Sequence, residues 1–215
     1  MKNSITLLLL FAFGIWNTCF AQPATKSDQI LFKLSKKIKG LKSFYVEYSA
    51  VVKNADLGRN DAFSGKGWVK NNKYFATYGT NTVICNGLKS WSIISKDKEV
   101  YESDNTDDEE TINPKKLMTI WETGFNNKYI KLDKIGKESV DVIDLFPKNP
   151  KKSNYKSITV YISSVNNELK KALIKTKDGT LMSYSVNKFS TNVDISDTKF
   201  SFDRKKYPGF RVIRN

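Results

Sequence analysis

From Phe44 onward the apolar residues of this chain fall at every second position, in one short run after another, each closed by turn residues. Phe44, Val46, Tyr48, Ala50 and Val52 alternate with Tyr45, Glu47 and Ser49, the pattern of a strand with one buried face. Residues 64–70, 73–78, 82–85, 90–94 and 99–101 continue it, with Asn71-Asn72, Gly79 and Asn86-Gly87 between them. Asn-Gly between apolar runs is a strong hairpin signal. The pattern returns at residues 129–132, 140–145, 157–162, 169–176, 181–188 and 198–202, with Asp178-Gly179 as another hairpin turn. Roughly a dozen antiparallel strands in one sheet cannot stay flat. The spacing therefore predicts a single mainly β domain whose large sheet curls toward a barrel, enclosing either packed side chains or a ligand cavity.

Two segments break the alternation. Ile30, Leu31, Leu34, Ile38 and Leu41 recur at helical spacing, with Ser27 and Asp28 as a start signal, Gly40 as a stop, and Lys33, Lys36, Lys37 and Lys39 mainly on the other face. This predicts an amphipathic, basic helix. A second helix is expected between Asn113, a good N-cap followed by Pro114, and Gly124, with Leu117, Met118, Ile120, Trp121 and Phe125 on its apolar side. Both helices should lie on the inner face of the sheet.

The first residues read differently. Met1-Lys2, an uncharged apolar run over residues 5–16 and the ending Cys19-Phe20-Ala21 have the form of a cleaved secretory signal peptide, residues 1–21, leaving Gln22 as the first residue of a single domain over 22–215. The run is too short for a transmembrane helix. Lipidation at Cys19 is the rival reading, and Trp16-Asn17-Thr18 before it is a poor match to the residues such a site expects. Cleavage removes Cys19, so Cys85 is the one remaining cysteine, and it reads as a small buried hydrophobe at a strand end.

Chemistry is sparse. The chain has no histidine, which excludes Ser-His-Asp and Cys-His catalysis and any His-ligated metal. The acids of 102–110 are consecutive and lack a calcium-loop pattern, so they read as a solvated loop before a carboxylate site. Ser-x-x-Lys occurs at Ser95, Ser153, Ser185 and Ser196, about as often as chance gives in so lysine-rich a chain. No phosphate loop or Gly-x-Ser-x-Gly elbow is present. The expectation is a protein that is not an enzyme and uses no cofactor or metal. Lys and Arg number 36 against 22 Asp and Glu, a net charge of +14. On an exported protein this excess points to anionic lipid or acidic partners rather than nucleic acid, or simply to a lysine-rich surface.

Specific fragments carry more. Leu41-Lys42-Ser43-Phe44 opens the first strand, and Gly65-Lys66-Gly67-Trp68-Val69-Lys70 leads into Asn71-Asn72-Lys73-Tyr74. Then come Cys85-Asn86-Gly87-Leu88-Lys89-Ser90-Trp91, Asn113-Pro114-Lys115-Lys116-Leu117, Leu145-Phe146-Pro147-Lys148, Lys177-Asp178-Gly179-Thr180, Phe200-Ser201-Phe202 and Tyr207-Pro208-Gly209-Phe210. In this order, behind a signal peptide, the chain resembles the LolA family of periplasmic carriers for outer-membrane lipoproteins. It departs from the family in having Asn71-Asn72 where Arg-Pro is common, and Asn86 where aspartate is usual.

The resemblance implies an incomplete, half-open antiparallel β-barrel lidded by helices, with an apolar interior for acyl chains. It implies a periplasmic, monomeric, non-catalytic protein that takes acylated lipoproteins from an inner-membrane ATP-driven release complex and passes them to an outer-membrane acceptor. A lipid- or hydrophobic-ligand-binding protein of the same fold with another cargo is the alternative. The expected ligand-facing residues are Phe44, Val46, Tyr48, Phe75, Trp91 and Tyr184, with Leu117, Ile120 and Trp121 as lid.

Overall fold

The computed structural model describes residues 24–104 and 118–214. It opens with α1 (Lys26–Gly40), whose N-cap is Thr25 rather than Ser27. Thr25 and Asp28 cap each other's backbone N–H groups reciprocally, satisfying donors a free helix end would leave open. Ser27, the second residue of the helix, is buried.

The strands are β1 (Ser43–Asn54), β2 (Arg59–Lys70), β3 (Lys73–Tyr78), β4 (Asn81–Cys85), β5 (Lys89–Ile94), β6 (Glu99–Asp104), β7 (Phe125–Ile135), β8 (Glu138–Pro147), β9 (Tyr155–Ser163), β10 (Leu169–Thr176), β11 (Leu181–Thr191) and β12 (Arg211–Arg214). They form one sheet in the order β12-β6-β5-β4-β3-β2-β1-β11-β10-β9-β8-β7. Every pair is antiparallel except β12 with β6, which is parallel. The sheet does not close, so the molecule is an open barrel with β12 and β7 at its edges.

Three elements differ from the sequence expectation. The expected second helix falls partly outside the described residues. Its described end is a single 3-10 turn, Ile120–Glu122, and Phe125 opens β7 instead of closing the helix. Residues 198–202, expected as a strand, instead begin in a 3-10 turn, Asp197–Phe200. The Ser196 hydroxyl accepts from the N–H of Thr198, a local bond that competes with sheet pairing. β12 is a strand of four residues, too short for alternation to announce it.

Both faces of the sheet carry apolar clusters. On the inner face α1 sets Ile30, Leu31, Leu34 and Ile38 against Ile143 and Leu145 of β8 and Ile158, Val160 and Ile162 of β9, with Trp121 joining them. Full burial of each aliphatic side chain contributes about 1.5–3 kcal/mol. A neighbouring inner cluster holds Phe44, Val69, Tyr74, Val83 and Cys85. On the outer face Ile84, Trp91, Ile93 and Val100 are covered by Phe202, Tyr207, Phe210 and Val212. Trp91 and Phe202 stack at 5.7 Å, as do Phe202 and Tyr207 at 5.6 Å. The C-terminal segment thus gives β3–β6 a second core.

Candidate functional site

The inner face beyond α1 is open. Across β1, β2 and β11 the registers place Tyr184, Ala50 and Phe63 in one row and Met182, Val52 and Asp61 in the next. These rows, with Tyr78, Gly79, Thr80 and Asn81 on one side and Thr176, Asp178 and Thr180 on the other, line a cavity of about 650 Å³. That volume lies within the range of about 300–1,000 Å³ usual for small-ligand sites.

Two glycines of β2 make room for the inner-face side chains of β1. A Cβ on Gly65 would collide with the Thr77 carbonyl oxygen and the Tyr48 phenol, and one on Gly67 would meet Val46 at 3.0 Å. Inner-face side chains of β1 therefore lean across β2, as the curvature of the sheet requires. Tyr48 donates its hydroxyl to the Thr77 carbonyl at 3.0 Å, and its ring centroid lies 6.2 Å from that of Tyr184. Burial pushes Tyr48 up to about 12 and raises Tyr78 and Tyr184 as well. All three phenols are neutral near pH 7. Val52, Phe63, Tyr78, Met182 and Tyr184 give the lining its apolar and aromatic part. Its polar part includes an Arg59–Asp61 pair at 2.5 Å and Asp178, held low by the Thr176 hydroxyl and the Thr180 amide. An amphiphile fits such a mixed lining.

Beside the cavity, α1 is fixed by polar contacts. Asp141 of β8 accepts from Tyr129 at 3.0 Å and Ser164 at 2.8 Å, and pairs with Lys26 at 3.2 Å. Asn127 donates to Asp28 at 2.8 Å, and Lys37 pairs with Glu168 at 2.9 Å. The indole N–H of Trp121 donates to the Ser35 hydroxyl at 2.8 Å inside the core.

The expected ligand-facing residues separate into groups. Tyr184 lines the cavity, and Tyr48 adjoins it through Tyr184 and Gly65. Phe44 and Val46 share the inner face but belong to the cluster on which Phe189 and Met118 also pack. Ile120 and Trp121 pack with α1, and Leu117 lies outside the described residues. Phe75 and Trp91 are on the outer face, because Trp68, Phe75, Ile84 and Trp91 oppose one another directly across β2–β5. Val52, Phe63, Tyr78 and Met182 line the cavity without having been singled out as ligand-facing, although Val52 belongs to the alternating set of β1.

Other expected features have clear places. Cys85 ends β4, fully buried, and burial pushes its thiol up. Asn86 accepts from the N–H groups of Leu88 and Lys89 at 2.9 and 2.8 Å, the turn-forming work an aspartate would do. In the acidic stretch, Glu102 pairs with Lys89 at 2.5 Å and Arg214 at 3.6 Å, which holds its carboxyl low. Residues 105–110 lie outside the described residues. Among the described residues no group of three His, Cys, Asp or Glu could hold a metal, and no helix is long and apolar enough to cross a membrane.

No family model matches the sequence, and no curated protein does. The fold itself is matched by solved structures. An uncharacterized conserved protein from Thermus thermophilus superposes with a TM-score of 0.58 at 8% identity, over 88% of this chain and 100% of that one. The two share a fold. A LolA superfamily protein from Nitrosomonas europaea is also matched, at a TM-score of 0.42 and 12% identity, over 84% of this chain and 100% of that one. The lipoprotein LppX from Mycobacterium tuberculosis is matched at 0.46 and 18% identity, over 80% of this chain and 100% of that one.

Proposed function

We propose that this protein is a periplasmic carrier that holds the acyl chains of lipoproteins against the inner face of its open barrel and ferries them from the inner to the outer membrane. The observation that carries this reading is the cavity itself. It is open to solvent and lined by apolar and aromatic side chains together with polar ones, on the same sheet that α1 covers farther along, at β8 and β9. The motif order that resembles the LolA family supports the same reading. Moving an acyl chain through water costs about 0.8 kcal/mol per exposed CH₂, so a carrier must enclose it. Release requires that the enclosure be exchangeable, and α1 supplies this. Its apolar stripe covers β8 and β9 in the empty state and gives way to the acyl chains, with Leu117, Ile120 and Trp121 moving with it. The donor is an inner-membrane release complex and the receiver an outer-membrane acceptor; no catalytic step is involved.

The test is titration with a dansyl-labelled fatty acid, followed by native mass spectrometry of protein purified from periplasm without detergent. Saturable binding with a lipid or acylated lipoprotein adduct is expected, and Trp121→Phe should speed probe release while leaving the fold intact. A protein that binds no probe and takes no lipoprotein from spheroplasts refutes the reading. A retained adduct of another lipid would favour a carrier with a different cargo.

A further inference from the structure

Three turns gather in a rim at one end of the sheet, 55–58 between β1 and β2, 148–154 between β8 and β9, and 177–180 between β10 and β11, and the last of them contributes Asp178 and Thr180 to the cavity lining. Asn54, 1% exposed, joins the first to the third. Its Nδ2 donates to the Asp178 carbonyl at 3.1 Å and the Thr180 hydroxyl at 2.9 Å, while its Oδ1 accepts the Leu57 N–H at 3.1 Å. The second and third turns are joined by the Lys177 N–H on the Asn154 carbonyl at 3.0 Å and by the Lys177 ammonium on the Pro150 carbonyl. A buried amide thus fixes a turn whose tip, Leu57, is 73% exposed. The leucine is held in water by structure, not left there by a loose loop.

Lys148, Lys151, Lys152 and Lys177 stand on these turns. Lys53 and Lys175 sit just behind, each directly opposite Leu181 on the outer face. All six are exposed, and none pairs with an acid among the described residues. The turns carry two acids, Asp56 and Asp178, and Asp178 is taken up by Thr176 and Thr180. Unpaired cations on turns that share one end of the sheet with a fixed apolar tip suit a surface that settles on phosphate head groups.

We propose that this rim docks on an anionic lipid bilayer, with the lysines against head-group phosphates and Leu57 entering the interfacial layer. A bilayer fits better than an acidic protein because the lysines are spread over separate turns at the same end of the sheet as a protruding leucine. Docking brings this end of the cavity lining to the membrane, and it stands whether or not the cavity carries acyl chains.

The test is co-sedimentation of the protein with vesicles of phosphatidylcholine alone or with phosphatidylglycerol. Binding is expected only with the anionic lipid, falling as salt rises. K148Q/K151Q/K152Q should weaken it about 100-fold, at roughly fivefold per lysine near an anionic surface. Leu57→Asp should weaken it too, while K33Q/K36Q on α1 should not. Urea titration checks that each variant is folded. Equal binding to neutral vesicles, no binding to anionic ones, or loss in the α1 variant with the rim variants unaffected would each overturn the proposal. Vesicle binding by a protein that takes no dansyl fatty acid would uphold the rim and remove the carrier reading.

Discussion

Asp141 is the residue by which β7 and β8 hold the N-terminal turn of α1, and its removal has a cost that can be worked from the contacts. The side chain is 10% exposed and accepts hydroxyl bonds from Tyr129 and Ser164 beside the Lys26 ion pair. Asp141→Ala leaves no stranded charge, since Lys26 is mostly solvated and returns to water. What is lost is two charge-assisted hydrogen bonds, nominally about 1.5–3 kcal/mol each, reduced because both donors can turn partly to solvent. A net cost of about 2–3 kcal/mol at pH 7 follows, which for a chain of this size lowers Tm by about 5–10 °C. Burial alone would raise the carboxyl, but the bonds from Ser164, Tyr129 and Lys26 together outweigh it and hold it below its usual value. A carboxyl held low stabilises the fold above its unfolded value of about 3.9, and that stabilisation disappears as pH falls through the still lower folded value. Urea titration of wild type and Asp141→Ala should therefore show a gap at pH 7 that narrows below pH 4. A gap that is absent at pH 7, or that persists unchanged at pH 3, would refute the argument. Because the contact holds α1, the variant should also release a bound acyl probe faster than wild type.

Gly65→Ala should destabilise the protein by about 1–3 kcal/mol through overpacking against Tyr48 and the Thr77 carbonyl, read by urea titration. Tyr48→Phe should cost only about 1 kcal/mol, for one hydrogen bond. Trp91→Phe should lower Tm without altering affinity for an acyl probe, whereas Tyr184→Asp should weaken probe binding, because the two residues lie on opposite faces of the sheet. Cys85 should resist a thiol-reactive reagent in the native protein at pH 8 and react once urea unfolds it, since burial both covers the thiol and disfavours the thiolate.

The strands of this protein are legible in its sequence because most have one face against a core and end at residues made for turns. α1 is legible for the same reason at another period. The exceptions are where local chemistry overrides pattern. Ser196 caps a 3-10 turn where Phe200 and Phe202 alternate like a strand. Thr123 and Gly124 end a short turn where Met118, Ile120 and Trp121 look helical, and Gly124 takes a φ of 80°.

The site is harder to read, because apolar alternation reveals that a strand has a buried face without saying which face it is. In β3, Tyr74 and Phe75 are adjacent aromatics, so period two alone assigns neither inward. Hairpin lengths decide the matter. The two-residue turn Asn71-Asn72 pairs Lys70 with Lys73, which sets Tyr74 opposite Val69, and the longer turn at 55–58 sets Val69 opposite Phe44. Tyr74 must then face inward with Phe44, and Phe75 outward with Trp68. The same parity carries Trp91 outward through Ile84. The outer face of these strands is apolar because Phe202, Tyr207 and Phe210 arrive from the far end of the chain to cover it, a contact that no window of neighbouring residues contains. Two cores on one sheet make aromatic content a poor guide to the cavity. The register counted through the turns is the better one, and it puts Phe63 beside Ala50, on the face where Tyr184 and Met182 complete the wall.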